Sequence, residues 1–341
     1  MNDLDEPRLE VWLQAKVPGF PKLVSLEKFS GGQSKPTYRV ETEGQNYVLR
    51  RKPFGPLLPS AHAIEREFHL LSALRPTGFP VPAPMPLCED ASTIGSPFYL
   101  MELVEGRTFW DGSLPLLPLA EPRPCYEAMV DTLAALHRID HEAIGLTDFG
   151  RPGNFFARQV DRWTRQYRAA QTDDVAEIER LIEWLPRTIP EQTRASIIHG
   201  DYRTDNLIYA AEEPQVRAVL DWELATIGDP LADFTYLAMN WEIPFDGQSG
   251  LGGLDLETAG LPSLEDMTAR YCEATGRGGL PDLHWYFAYN LFRLASIVQG
   301  IKKRLADGNA SSAEAAASAE RVRPLAKSAW AEARKAGAVG R

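Results

Sequence analysis

Residues 197–209 read IIHGDYRTDNLIY. His199, Asp201, Arg203, Asp205 and Asn206 are delivered between Ile, Leu and Tyr, apolar flanks of the kind that enter a core. Polar groups in such a place cost about 1–3 kcal/mol each when buried without a partner. The stretch is therefore either a well-satisfied loop between strands or a reaction centre.

The surrounding chain bounds the choice. Its 341 residues are too many for one compact core and predict two lobes. Hydrophobic residues at 44% and charged residues at 24% are ordinary for a globular protein. With 36 basic and 47 acidic residues the net charge is −11, which argues against nucleic acid or an anionic membrane as partner. Cys88, Cys125 and Cys272 lie far apart, form no CxxC pair and fit a reducing compartment. MNDLDEPRLEVWL has no basic segment ahead of an apolar one, so no signal peptide is expected. No apolar run reaches the ~18 residues that span a bilayer. The expectation is a cytoplasmic protein.

Periodicity divides the chain. A short amphipathic helix over 8–16 stops at Pro18-Gly19, and strand-like runs follow at 23–29, 37–42 and 47–52. SGGQSKP and EGQN supply the turns. Ile64, Phe68, Leu71 and Leu74 predict a helix over Ser60–Leu74. PTGFPVPAPMPL cannot be helical because of its prolines, and FYLMELV reads as a buried strand. Beyond residue 103 helical spacing takes over at 125–139, 154–171 and 283–305, with an Ala-rich helix after Asn309. The exception is 196–222, where SIIHGD, NLIYA and VRAVLDW read as short strands. The expected class is α+β, with a strand-rich lobe over 1–103 and a helical lobe over 104–341.

Within that frame His199, Asp201 and Asn206 form H-x-D-x-x-x-x-N, and Asp221 follows at the end of the apolar strand AVL. Phosphoryl transfer needs this combination: one Asp accepts the proton of the attacking hydroxyl, while an Asn and a second Asp hold the magnesium that neutralises the phosphates. A hairpin NLIYA…VRAVLD would bring them together. The competing reading is a capped loop between strands.

HGDYRTDN…LDWE…GDPLAD resembles the aminoglycoside phosphotransferase and choline kinase-like family, within the protein-kinase-like fold, over nearly the whole chain. FYLMELVEGRTFWDGSLP, GRPGNFFARQVDRWTRQY and VLDWELATIGDPLADF resemble the kinase-like modules associated with acyl-CoA dehydrogenases. The resemblance implies a bilobal kinase-like fold whose antiparallel, nucleotide-binding first lobe precedes a catalytic and substrate lobe. It implies Asp201 as catalytic base, and Asn206 and Asp221 as ligands of magnesium. It also implies Ser30, Gly31, Gly32, Gln33 and Ser34 as the loop over the ATP phosphates. Glu65 would anchor the phosphate-binding basic residue, with Glu67 as the alternative, and backbone groups of Glu102 and Val104 would meet the adenine. Arg203 either touches the γ-phosphate or pairs with Asp205. His199 orients the loop, and Asp229 and Asp233 fix loops of the second lobe. An acyl-CoA dehydrogenase is the implied partner.

Three departures stand out. Arg50 occupies the place of the third-strand Lys, with Lys52 as its rival. Asp221-Trp222-Glu223 replaces DFG, with no activation loop ending in APE, which points to a small-molecule kinase. SGGQSKP lacks the Gly before Lys35 that a Walker A loop requires. Arg158, Arg162, Arg165 and Arg168 share one helix face and form either a solvated stripe or a seat for the phosphates of coenzyme A. Trp110 and Asp111 either line the substrate site or cap a packed loop.

The expected activity is ATP- and magnesium-dependent phosphorylation of a small-molecule hydroxyl, on a hydroxyacyl-CoA or hydroxy acid. The alternatives are an antibiotic O-phosphotransferase, of which an aminoglycoside kinase is the main case, and a catalytically silent nucleotide- or partner-binding module. A metal-dependent hydrolase stands behind these, since HExxH and Cys/His metal patterns are absent.

Overall fold

The computed structural model describes residues 4–29, 36–54, 64–245, 247–308 and 313–339. In chain order the elements begin with α1 (Glu6–Lys16), β1 (Leu23–Lys28), β2 (Thr37–Thr42), β3 (Tyr47–Arg51), α2 (Ile64–Leu74), β4 (Pro84–Cys88) and β5 (Phe98–Glu102). They continue with α3 (Pro122–Arg138), α4 (Phe155–Ala170), α5 (Ala176–Trp184), β6 (Ser196–Ile198), β7 (Leu207–Tyr209), β8 (Val216–Val219) and β9 (Thr226–Gly228). The last are α6 (Leu231–Ala238), α7 (Leu264–Thr275), α8 (His284–Ala306), α9 (Ala313–Ala319) and α10 (Val322–Lys335). Among the described residues no helix is long and apolar enough to cross a membrane.

The chain forms two compact units. The first draws on residues 1–110, 140–147 and 204–225, the second on 111–139, 148–203 and 226–341. In the first unit an antiparallel sheet runs in the order β1-β2-β3-β5-β4. The EGQN turn between β2 and β3 forms as its residues predict: the Thr42 N–H donates to Asn46 Oδ1 at 3.1 Å. Every residue of β3 is buried, because the strand is central and covered on both faces. Its odd-numbered Tyr47 and Leu49 join Leu9 and Leu13 of α1 in one core cluster. A strand alternates its side chains, so Arg50, and Lys52 beyond the strand, face the other way, toward α2.

The strand-rich unit runs to Trp110 and takes in the β7–β8 hairpin. The hairpin is bonded into that unit at several points. The Val219 N–H donates to Pro80 O at 2.8 Å, and Arg107 and Tyr209 exchange both backbone bonds at 2.9 and 2.8 Å. Gly106 makes that exchange feasible, since a Cβ there would meet Tyr209 O at 2.1 Å. Apolar strand patterns alone do not carry such long-range pairing.

The second unit is helical, as expected, with the short β6–β9 ladder inside it. Phe156 of α4 sets its ring edge against Trp285, Tyr286 and Tyr289 of α8. Asp229 accepts the Leu231 N–H at 2.9 Å at the start of α6. Burial pushes its carboxyl from 3.8 to about 6, against the opposing Leu231 N–H and Arg277. A raised carboxyl binds its proton more tightly in the folded state. Its cost is therefore present above pH ~6 and relieved as pH falls from there toward 4. Asp229→Asn keeps the accepting oxygen and removes the charge. It should stabilise the protein by about 2–3 kcal/mol at pH ~7.5, with the gain shrinking toward pH ~4.5, in urea unfolding at the two pH values.

Candidate active site

In the first unit Arg50 is clamped between two carboxylates. Its Nη1 donates to Glu67 Oε1 at 2.5 Å and its Nη2 to Asp221 Oδ1 at 2.6 Å. Burial works against the guanidinium charge, but Glu67, Tyr99 and Asp221 outweigh it and hold the group above its ordinary value. Glu67 shares the buried face of α2 with Ile64, Leu70, Leu71 and Leu74, so it meets the inward-facing Arg50. Glu65, two positions earlier on the helix, instead pairs with Lys52, two positions beyond Arg50. Arg50 is thus held by Glu67, the alternative anchor, and its rival Lys52 by Glu65.

Asp221 has a left-handed backbone, φ 61° and ψ 64°, which non-glycine residues rarely adopt and which clusters at functional sites. Its neighbours hold it there. The Leu220 N–H donates to Asn206 O at 2.8 Å, joining the loop that carries Asn206 to the strand end that carries Asp221. Trp222 donates from Nε1 to Val219 O at 2.9 Å and packs edge-on against Phe79. The Asp221 side chain remains one-third exposed.

Glu102 closes β5, donating its N–H to Ala83 O at 2.9 Å and accepting the Ala83 N–H on its carboxylate at 3.1 Å. Two residues on, the Val104 N–H has no acceptor among the described residues. The predicted phosphate loop, Ser30 to Ser34, lies outside the described residues.

In the second unit the HGD loop is held from below. Asp233, on α6, accepts the backbone N–H of His199 at 2.6 Å and of Gly200 at 2.8 Å. Gly200 has φ +86° and so needs glycine. The His199 ring is fully buried, and its Nδ1 accepts the Asp201 N–H at 3.2 Å. Asp233 is fully buried as well. Burial alone would raise its carboxyl, yet hydrogen bonds and nearby His137 and His199 bring it below the usual range. Burial lowers His137, so the ring is neutral at pH 7. Its 3.5 Å contact with Asp233 is then a long hydrogen bond and not an ion pair. Tyr271 OH fixes the other ring nitrogen at 2.7 Å. Arg293, from α8, donates to the Gly200 carbonyl. Beyond the loop, Tyr202 OH donates to Met129 O at 2.7 Å. Asp201 is thus presented on a rigid turn, with the Tyr236 hydroxyl hydrogen-bonded to it. Arg203 Nε lies 3.7 Å from Asp201 Oδ1.

A model of the phosphotransferase enzyme family, APH, matches residues 25–276. The chain belongs to this family. It is 44% identical over 316 residues to acyl-CoA dehydrogenase family member 10 of Mus musculus, covering 92% of the chain and 30% of that protein. It is 41% identical over 333 residues to family member 11 of Gallus gallus, covering 95% of the chain and 43% of that protein. The chain thus spans well under half the length of these relatives. A putative aminoglycoside phosphotransferase from Ralstonia eutropha JMP134 superposes with a TM-score of 0.89 at 45% identity, covering 97% of this chain and 99% of that one. Spectinomycin phosphotransferase, solved with ADP and spectinomycin, shares the fold at a TM-score of 0.65 and 13% identity, covering 96% and 98% of the two chains. The fold is protein-kinase-like, as the resemblance implied.

Family membership leaves the side chains to be accounted for individually. Sequence reasoning missed His137, Tyr271 and Arg293, which hold the HGD loop together with Asp233. His137 and Arg293 carried a weak signal, as polar residues on otherwise apolar helix faces; Tyr271 carried none. The arginine stripe of α4 is largely engaged within the protein. Arg158 donates to the carbonyls of Arg151 and Gly153. Arg165 pairs with Asp161 at 2.9 Å, and Arg168 with Glu179 at 2.5 Å. Arg162 is the exception.

Proposed function

We propose that the protein is an ATP- and magnesium-dependent kinase that phosphorylates a hydroxyl of a small molecule, a hydroxyacyl-CoA or a hydroxy acid. The observation that carries this reading is the clamp on Arg50. Glu67 and Asp221 aim its guanidinium, and Asp221 is held in a left-handed conformation beside Asn206. A structural ion pair needs no such backbone.

The donor set fits magnesium. Asp221 offers a carboxylate and Asn206 an amide oxygen, and magnesium takes hard oxygen ligands while keeping several waters and substrate phosphates. No third protein carboxylate is required. When bound, the ion neutralises the phosphate charge that in-line transfer must move.

The protein's own groups do the rest in this reading. Arg50 binds phosphate oxygens, with Lys52 and Glu65 beside it, and Ser30 to Ser34 cover the phosphates. The carbonyl of Glu102 and the N–H of Val104 meet the adenine edge. Asp201 aligns the acceptor hydroxyl and takes its proton, and Arg203 beside it steadies the transferred phosphate.

We place the activity in the cytoplasm, where the buried Cys88, Cys125 and Cys272, none of them in a disulfide, stay reduced. The partner assigned is an acyl-CoA dehydrogenase, because relatives that extend well beyond this chain carry that name. An aminoglycoside acceptor is the second reading, favoured by the name of the 45%-identical structure from Ralstonia eutropha. ATP consumption measured over hydroxy acids, their CoA thioesters and aminoglycosides decides between them. Turnover on the first two classes is expected. Turnover on aminoglycosides alone would reverse the assignment.

A further inference from the structure

Three of the four arginines on one face of α4 are occupied by partners, as described above. Among the described residues Arg162 has no hydrogen-bond acceptor and no ion-pair partner, and its guanidinium carbon rests 5.1 Å from the Trp163 ring centre. A second arginine reaches the same ring: the Arg293 guanidinium carbon lies 5.6 Å from Trp163 and 5.0 Å from the Tyr236 ring. Arg293 is 8% exposed and likewise has no ion-pair partner among the described residues. Arg162 is exposed; partial burial, and then the nearby Arg293 charge, lower its guanidinium from the ordinary value.

Two like charges beside one indole, neither ion-paired among the described residues, repel each other and together attract an anion. The overall charge of −11 makes the arrangement more conspicuous, because acidic residues are plentiful and neither arginine has an ion-pair partner among the described residues. The pair is also connected to the proposed base. Arg293 holds the carbonyl of Gly200, the residue before Asp201, and covers the ring of Tyr236, whose hydroxyl is bonded to Asp201. Trp163 and Tyr289 are themselves buried.

We propose that Arg162 and Arg293 form an anion subsite next to Asp201, so that the acceptor carries a carboxylate or phosphate group as well as its hydroxyl. The proposal rests on the kinase reading for the role of Asp201, but the subsite stands on the second unit alone. Arg162 determines specificity there; Arg293 also positions the HGD loop. A polycationic acceptor is repelled by the same pair.

The test is calorimetric titration of the full chain, first with AMP-PNP and magnesium, then with four probes: 3-hydroxybutyrate, 3-hydroxybutyryl-CoA, the neutral 3-hydroxybutyramide and kanamycin. An anionic probe should bind at least ~10-fold more tightly than the amide, and more weakly as salt rises. Arg162→Glu should remove that preference and Arg162→Gln should weaken it by about 10-fold or more, with nucleotide binding unchanged and Tm not lowered. Binding of the free acid identifies a carboxylate as the ligand group; binding of the thioester alone identifies the CoA phosphates. The proposal is overturned if the amide or kanamycin binds as well as either anion, if neither anion binds, or if Arg162→Glu binds them like the parent. Loss of the nucleotide signal instead would strike the kinase reading, and the probe series would still decide the subsite.

Discussion

Replacing Asp201 by Asn is expected to leave nucleotide binding intact and to lower turnover by about 10²–10⁴-fold, the usual worth of a positioned general base. The expectation follows from how the residue is held. Asp233 fixes the preceding backbone through His199 and Gly200, Arg293 holds the Gly200 carbonyl, and Tyr202 is anchored to Met129. None of these bonds depends on the Asp201 carboxylate. Asn preserves the shape and can accept from the Tyr236 hydroxyl, but cannot take a proton from the acceptor. The loss should therefore fall on kcat with little change in KM for ATP. Equal kcat in mutant and parent, on an acceptor found by the screen, would remove Asp201 from the role of base.

The second large effect is expected at Asp221. Alanine would confound two losses, because φ 61° strains any residue with a Cβ other than Asn or Asp. Asn tolerates that conformation, so Asp221→Asn isolates the charge. It removes the carboxylate that opposes Arg50 and that would hold magnesium. A metal site built on one carboxylate and one amide should lose most of its affinity when the carboxylate goes. The magnesium-dependent part of ATP binding should fall by at least ~10-fold, while ATP binding without metal changes little. A mutant whose response to magnesium matches the parent would place the ligand elsewhere.

Much of this architecture is legible in the sequence where signals are local. The H-x-D-x-x-x-x-N spacing and the strand-end Asp221 needed only neighbouring residues to be read, and so did the turns at EGQN and the alternation in β3. Choices that depend on the angle between two elements were not legible. Glu65 and Glu67 both start the same helix, and only the packing of α2 on the sheet turns Glu67 toward Arg50. The same holds for His137, Tyr271 and Arg293, which reach the HGD loop from three different helices far apart in the chain. The arginine stripe has correct periodicity but mixed meaning. Three members find local partners within a few residues or on α5, and only the tertiary structure shows that Arg162 does not.

The central claim is that this chain binds ATP with magnesium for phosphoryl transfer. It is tested most directly by the thermal unfolding of the unmutated protein with ATP, with and without magnesium. A ligand that binds only the folded state stabilises it by RT ln(1 + [L]/Kd), about 2.7 kcal/mol at a hundred times Kd, and so raises Tm. The account predicts a clear rise with magnesium and ATP together, a smaller one with ATP alone, and none with magnesium alone. A Tm unmoved by magnesium-ATP would contradict it.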